Sequence, residues 1–361
     1  MNKVKDILAA AQRAYSPSGL FQLFWFVTAR CNARCKMCFY LDQIEKAEDN
    51  LLNELTLSEI EKILTNLGYV PYISLSGGEP FLREDLGDIL GIIGAKVKPL
   101  LISIPTNGAY TKRCVEVVKN FTASYPNTQI DIQLSVDGIG EDHDEIRQVP
   151  QLFDRVIETN HQLALLRKDL GNFGVKVVIT ASSFNQTKVE GLLDYVDQNF
   201  NFDRVIIAKV HGNCSPESKE GFDLSLFRRL CQKAEQVNSK INDKWTFATK
   251  LASGVKMAKE KYRHKFEKEQ NLGRFCKAGT KIGVLSETGE MYPCEVLDAP
   301  LGNVRDYNYS ITQLLKNNYS KLNDDFEIFK CHCDWGCAQN SAIATNIRFL
   351  PTLALKTLTK F

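Results

Sequence analysis

Cysteine is the residue type whose number and spacing in this chain could carry chemistry. The 361 residues include 11 cysteines, and they are grouped rather than scattered. Cys31-Asn-Ala-Arg-Cys35-Lys-Met-Cys38 has the spacing C-x3-C-x2-C, and Cys276, Cys294, Cys331, Cys333 and Cys337 fall in the last quarter; Cys114, Cys214 and Cys231 stand apart. Three thiolates cannot close a cubane of four irons, which takes four protein ligands. One iron would stay open for a substrate or cofactor, as in catalytic rather than structural metal sites. A zinc ion borrowing a distant fourth ligand, or a set of buried thiols, would also account for the spacing. The N-terminus carries an apolar run too short for an export signal, so the expected compartment is the cytoplasm, where thiols stay reduced. An odd count of thiols there points to metal ligation or catalysis.

The rest of the chain must position these thiols. A net charge of +2 is too balanced for a general nucleic-acid binder, and no uncharged run reaches the ~20 residues of a membrane-spanning helix. Strand-like apolar runs occupy 21–28, 72–76, 100–105, 130–136, 175–181 and 204–210. Helical patterns lie between them at 56–67, 85–94, 111–122, 151–168 and 187–198, the first opened by a Thr56/Glu59 capping box. Such alternation predicts βαβ units around a parallel sheet with both faces covered. Residues 221–270 read as a Lys-rich helical stretch, and 281–296 as a hairpin turning at Glu287–Gly289.

Each predicted strand ends in a polar signal, where parallel α/β folds build their sites. The second ends in Ser76-Gly77-Gly78-Glu79-Pro80, the third in Thr106-Asn107-Gly108 and the fourth in Ser135-Val136-Asp137-Gly138, followed by His143-Asp144-x-x-Arg147. In this order, after a C-x3-C-x2-C loop, the residues resemble the radical S-adenosylmethionine (SAM) superfamily over about 20–210. The resemblance implies an α/β fold, a partial (βα)6 TIM-like barrel with a small C-terminal iron–sulfur module. It implies a 4Fe–4S cluster on Cys31, Cys35 and Cys38 and SAM on its open iron. The family's GGEP motif binds the methionine amino group, which corresponds to Ser76, Gly77, Gly78 and Glu79; Asn107 ends the next strand. Ser135 and Asp137 match its ribose-contacting S-x-D-G, Arg147 would reach the SAM carboxylate, and adenine would lie by the fifth and sixth strands. Met37 departs from the family, which often has an aromatic there.

The late cysteines resemble the SPASM and shorter twitch extensions of such enzymes, with four residues between Gly289 and Cys294. That implies an auxiliary 4Fe–4S cluster on Cys276, Cys294, Cys337 and either Cys331 or Cys333, against structural zinc as the alternative. In some SPASM dehydrogenases an acidic residue after this cysteine is the general base, here Glu295. The expected organisation is an N-terminal helical extension (1–20), the barrel (21–215), a helical connection (216–275), the auxiliary module (276–340) and a basic amphipathic tail (341–361). The chemistry so implied is reductive SAM cleavage to a 5′-deoxyadenosyl radical, hydrogen abstraction and net oxidation, with a flavodoxin or ferredoxin as reductant. A sugar-like or glycan substrate competes with a ribosomal peptide (cross-linked or epimerised, Cys214 then returning hydrogen) and with a lipid-linked one. The ~20 residues before the first strand weigh against the peptide, which usually needs a longer recognition domain. The tail (347–361) either docks on the barrel or makes peripheral contact with the inner membrane surface. An iron–sulfur carrier or a zinc-binding interaction protein is the non-enzyme reading.

Overall fold

A computed structural model describes residues 3–241, 275–318, 333, 335–349 and 351. Cys331, most of the Lys-rich run and residues 352–361 fall outside them. Six strands follow the apolar runs of the sequence: β1 (Gln22–Thr28), β2 (Tyr72–Gly77), β3 (Leu101–Thr106), β4 (Gln129–Ser135), β5 (Phe173–Ala181) and β6 (Arg204–Lys209). Neighbours pair in parallel in the order β6-β5-β4-β3-β2-β1. Parallel pairing requires a crossover, and helices Leu57–Leu67, Leu86–Lys96, Thr111–Ser124, Leu152–Arg167 and Val189–Asn199 supply one between each consecutive pair. The strand interiors are closed to water, with Ile102, Ile104, Ile130, Ile132, Leu134, Val175, Val177 and Ile179 all fully buried. Each such side chain contributes about 1.5–3 kcal/mol relative to exposure, so the sheet is the core.

The C-terminal hairpin continues this sheet rather than standing apart as a module. β7 (Ile282–Leu285) pairs in parallel with β1, Gln22 facing Ile282, and then β8 (Glu290–Tyr292) and β9 (Gly302–Asn303) follow antiparallel. Among the described residues these nine strands form one sheet. Because β7 runs alongside β1, its C-terminal end reaches the same rim as the Cys31–Cys38 loop. The helix Leu224–Lys240, within the expected helical connection, covers the barrel edge with Leu230, Ala234 and Val237. The start of the expected tail docks: Ser341 Oγ donates to Gln22 Oε1 at 2.7 Å, and buried Phe349 packs on Phe275. Among the described residues no helix is long and apolar enough to cross a membrane.

Glu59 ties the first crossover helix to the C-terminal hairpin. Its carboxylate accepts from Arg305 Nε at 2.7 Å and from the Thr56 N–H at 2.9 Å, closing the capping box. The Arg305 side chain, and then the Thr56 groups, hold the Glu59 carboxyl down at about 2. A carboxyl lowered in the fold stabilises above its unfolded value near 4.5, and that contribution is lost as pH falls toward 2. Glu59→Gln should therefore cost about 1 kcal/mol at pH 7 in thermal or urea unfolding. The deficit should shrink steadily below about pH 4.5; a deficit independent of pH would refute the ion-pair account.

Candidate active site

The loop after β1 carries Cys31, Cys35 and Cys38. It has no regular structure, so its neighbours must hold it. The Arg83 guanidinium donates to the Val27 carbonyl at 2.5 Å, fixing the strand end from which the loop departs. Further along, Lys36 N donates to Ile146 O at 3.0 Å and Arg34 N to Arg147 O at 3.3 Å, which press the loop against the end of helix Glu141–Arg147. Backbone N–H groups of Ala33 and Tyr40 donate to the Cys31 and Cys38 sulfurs, each at 3.4 Å. Arg147 Nη1 stands 3.7 Å from Cys35 Sγ. Burial, reinforced by the neighbouring cysteines, pushes the Cys31 and Cys38 thiols up to about 12, and burial raises Cys35 as well. Only bound metal would keep three such groups as thiolates near neutral pH. Among the described residues no three His, Cys, Asp or Glu side chains converge as a single ion demands. A multi-iron cluster binds each thiolate through a different iron, so its ligands need not meet at one point, and this donor set fits it.

The Gly77-Gly78 pair explains how β2 can lie so close to that loop. Gly77 has φ +114°, and a Cβ there would sit 2.3 Å from the Thr28 carbonyl oxygen; at Gly78 it would sit 2.1 Å from the Arg30 carbonyl oxygen. Side chains are thus excluded at both positions, and Gly78 N and Glu79 N each donate at 2.8 Å to Thr28 O and Arg30 O. Glu79 itself is buried. Its oxygens accept from Asn107 N (2.7 Å), Thr106 Oγ1 (2.8 Å) and Phe81 N (3.2 Å). Desolvation outweighs these donors and lifts its carboxyl to about 7. In this chain Glu79 braces the ends of β2 and β3. Asn107 extends the brace, its Nδ2 donating at 2.8 Å to Asn32 Oδ1 inside the cysteine loop.

Asp137 and Arg147 form the third support. Asp137 is buried, accepts from Thr180 N at 2.7 Å and meets the Arg147 guanidinium at 2.5 Å. Burial opposes the Arg147 charge, but Asp137 and Cys35 more than offset it. His143 is held neutral, pushed down to about 3 by burial and by Arg147, with Nδ1 accepting from Asp137 N. Ser135, half-buried, ends β4 beside this group. A cavity of about 250 Å³ opens alongside, lined by Lys36, Asp137, Gly138, Ile146, Phe184 and Asn185. Met37 fills the aromatic position of the family by packing with Ile146 and Val210. Asn32 and Asn185 carry no motif, and sequence reasoning passed over both.

Residues 25–190 match the Radical SAM superfamily. This chain carries a radical SAM domain. Its fold is similar to that of Streptococcus suis SuiB bound to S-adenosylmethionine, with a TM-score of 0.59 at 18% identity over 96% of this chain and 79% of that one. In sequence it is 29% identical to the pre-heme d1 synthase of Dinoroseobacter shibae over 137 residues, 37% of this chain and 31% of that protein. The match therefore spans about a third of that relative's length. The AdoMet-dependent heme synthase of Methanosarcina barkeri aligns over 89% of this chain and 92% of its own length at 25% identity. A radical SAM domain binds SAM and a 4Fe–4S cluster, which accounts for the thiol loop and its supports.

The radical SAM barrel and the late cysteines meet in one apolar body. Cys276, Cys294, Cys333 and Cys337 pack in the same hydrophobic cluster as Cys31 and Cys38, around Phe24, Phe26 and Trp335. Four of the five late thiols thus lie in that one cluster. Glu295, next to Cys294, has a side chain only 7% exposed, and its Oε2 lies 3.3 Å from His211 Nε2 at the end of β6. Cys214 lies near Met37, its sulfur accepting from Ser218 Oγ at 3.1 Å.

The glycine approach is testable without a substrate. Gly78→Ala should displace the cysteine loop, cost at least about 2 kcal/mol in unfolding and abolish the spectral change that SAM causes in the reconstituted cluster. Gly87→Ala, where a Cβ meets nothing within 4 Å, should leave both unchanged.

Proposed function

We propose that this protein is a radical SAM oxidoreductase that removes hydrogen from an unactivated C–H bond and completes a net two-electron oxidation. The observation that carries the reading is the packing of both cysteine groups into one apolar cluster. Loaded at Cys31, Cys35 and Cys38, a 4Fe–4S cluster with SAM and an electron from a flavodoxin- or ferredoxin-type reductant supplies the 5′-deoxyadenosyl radical. A second cluster on Cys276, Cys294, Cys337 and Cys333 or Cys331 supplies the electron acceptor that an oxidation needs.

The chain's own residues do the rest. Gly77 and Gly78 give the methionine end of SAM access to backbone. Ser135, Asp137 and Asn107 line the strand ends where its sugar would lie, and Arg147, already charged by its ion pair with Asp137, is the cation for its carboxylate. Glu295 takes the proton of a substrate O–H or N–H next to the reacting carbon. Loss of one hydrogen atom to the radical, that proton, and one electron to the acceptor leaves a C=O or C=N bond. This chemistry favours a hydroxylated, sugar-like or glycan substrate. A second reading, a heme-precursor substrate, is supported by the alignment with the AdoMet-dependent heme synthase along 89% of this chain. SuiB, crystallised with its precursor peptide, supports the peptide alternative by fold alone.

Anaerobic reconstitution should give about eight iron and eight sulfide per chain, two 4Fe–4S clusters. Dithionite and SAM should then yield 5′-deoxyadenosine, and Cys35→Ala should abolish it. No 5′-deoxyadenosine from the loaded wild type would overturn the radical reading. A shifted Soret band on titration with a carboxylated iron porphyrin would favour the second substrate class over the first.

A further inference from the structure

His211 belongs to no sequence motif, yet it connects the two cysteine groups. Its ring stacks on Phe39, the residue after Cys38, at 5.3 Å and 27°. Its Nε2 meets Oε2 of Glu295, the residue after Cys294, at 3.3 Å. Gly212 lets the loop lie this close: it has φ +74°, and a Cβ there would come within 3.1 Å of the Phe39 Cβ. The other ring nitrogen, Nδ1, faces the Lys209 carbonyl at 3.2 Å. Both facing oxygens are acceptors, so a neutral ring donates to one of them; with Nε2 protonated, the ring stacked on Phe39 presents its N–H to a carboxylate with little access to water.

A carboxylate one residue from a thiolate ligand is a fixed negative charge at the metal, and in a partly dry site its influence depends on what screens it. Hydrogen bonds and net charge close to an iron–sulfur cluster set its potential. We propose that His211 is a positioning residue whose N–H holds and screens the Glu295 carboxylate, so that the β6 loop of the barrel sets how readily the C-terminal cysteine site accepts an electron. This rests on the two-cluster reading above.

The test uses full-length protein reconstituted anaerobically, with the second cluster titrated by EPR-monitored potentiometry. His211→Phe keeps the stack on Phe39 and removes the N–H; its potential should fall below that of the wild type. His211→Gln retains a donor and should return the potential close to wild type. In a Glu295→Gln background His211→Phe should no longer lower the potential, because no carboxylate remains to be screened. Equal potentials in wild type and His211→Phe, or an equal drop with and without Glu295, would overturn the inference while leaving the two-cluster reading intact. A wild-type count of about four iron would instead overturn the two-cluster reading and this inference with it.

Discussion

The ion pair between Arg147 and Asp137 is the interaction on which the cysteine loop depends. Asp137 is buried, the Arg147 side chain is 12% exposed, and the guanidinium also reaches Cys35. Removing either partner would strand a charge in that interior at a cost of about 3–5 kcal/mol. The same short helix end also offers the carbonyls of Ile146 and Arg147 to the loop backbone. One residue therefore fixes loop position by its backbone and charge balance by its side chain. The 4Fe–4S site inherits both: bound metal takes the protons from thiols this buried, and the Arg147 charge offsets part of the resulting negative charge.

A second constraint comes from the sheet. Once β7 pairs with β1, the C-terminal hairpin has no freedom of orientation, and its far end must reach the rim where the cysteine loop emerges. The apolar residues of β1 that face this side, Phe24 and Phe26, then pack against residues from both ends of the chain. The two metal sites proposed for these cysteine groups would share one apolar body, which suits electron transfer better than two sites on a flexible linker. Glu59 reinforces the arrangement from the opposite edge through Arg305.

Much of this was legible in the residues. Every barrel strand and crossover helix lies within about two residues of its apolar pattern, because parallel strands buried on both faces leave an unmistakable continuous run. The capping box at Thr56 and Glu59 is local chemistry and forms as read. Local spacing likewise brings Cys31, Cys35 and Cys38 onto one loop. For Glu79 the structure adds a bracing role that its motif did not announce: its oxygens tie β2 to β3.

The barrel was legible in short-range hydrophobic periodicity, and three thiols within eight residues with glycines at a strand end carried the resemblance that implied the chemistry class. What those patterns meet depends on how distant strands pair. Glu295 and His211 are 84 residues apart and join through the return of β7 to β1. Asn32 finds Asn107 across two strand ends, 75 residues away. No local signal foretells such contacts, because they arise from where strands pair rather than from what any segment prefers.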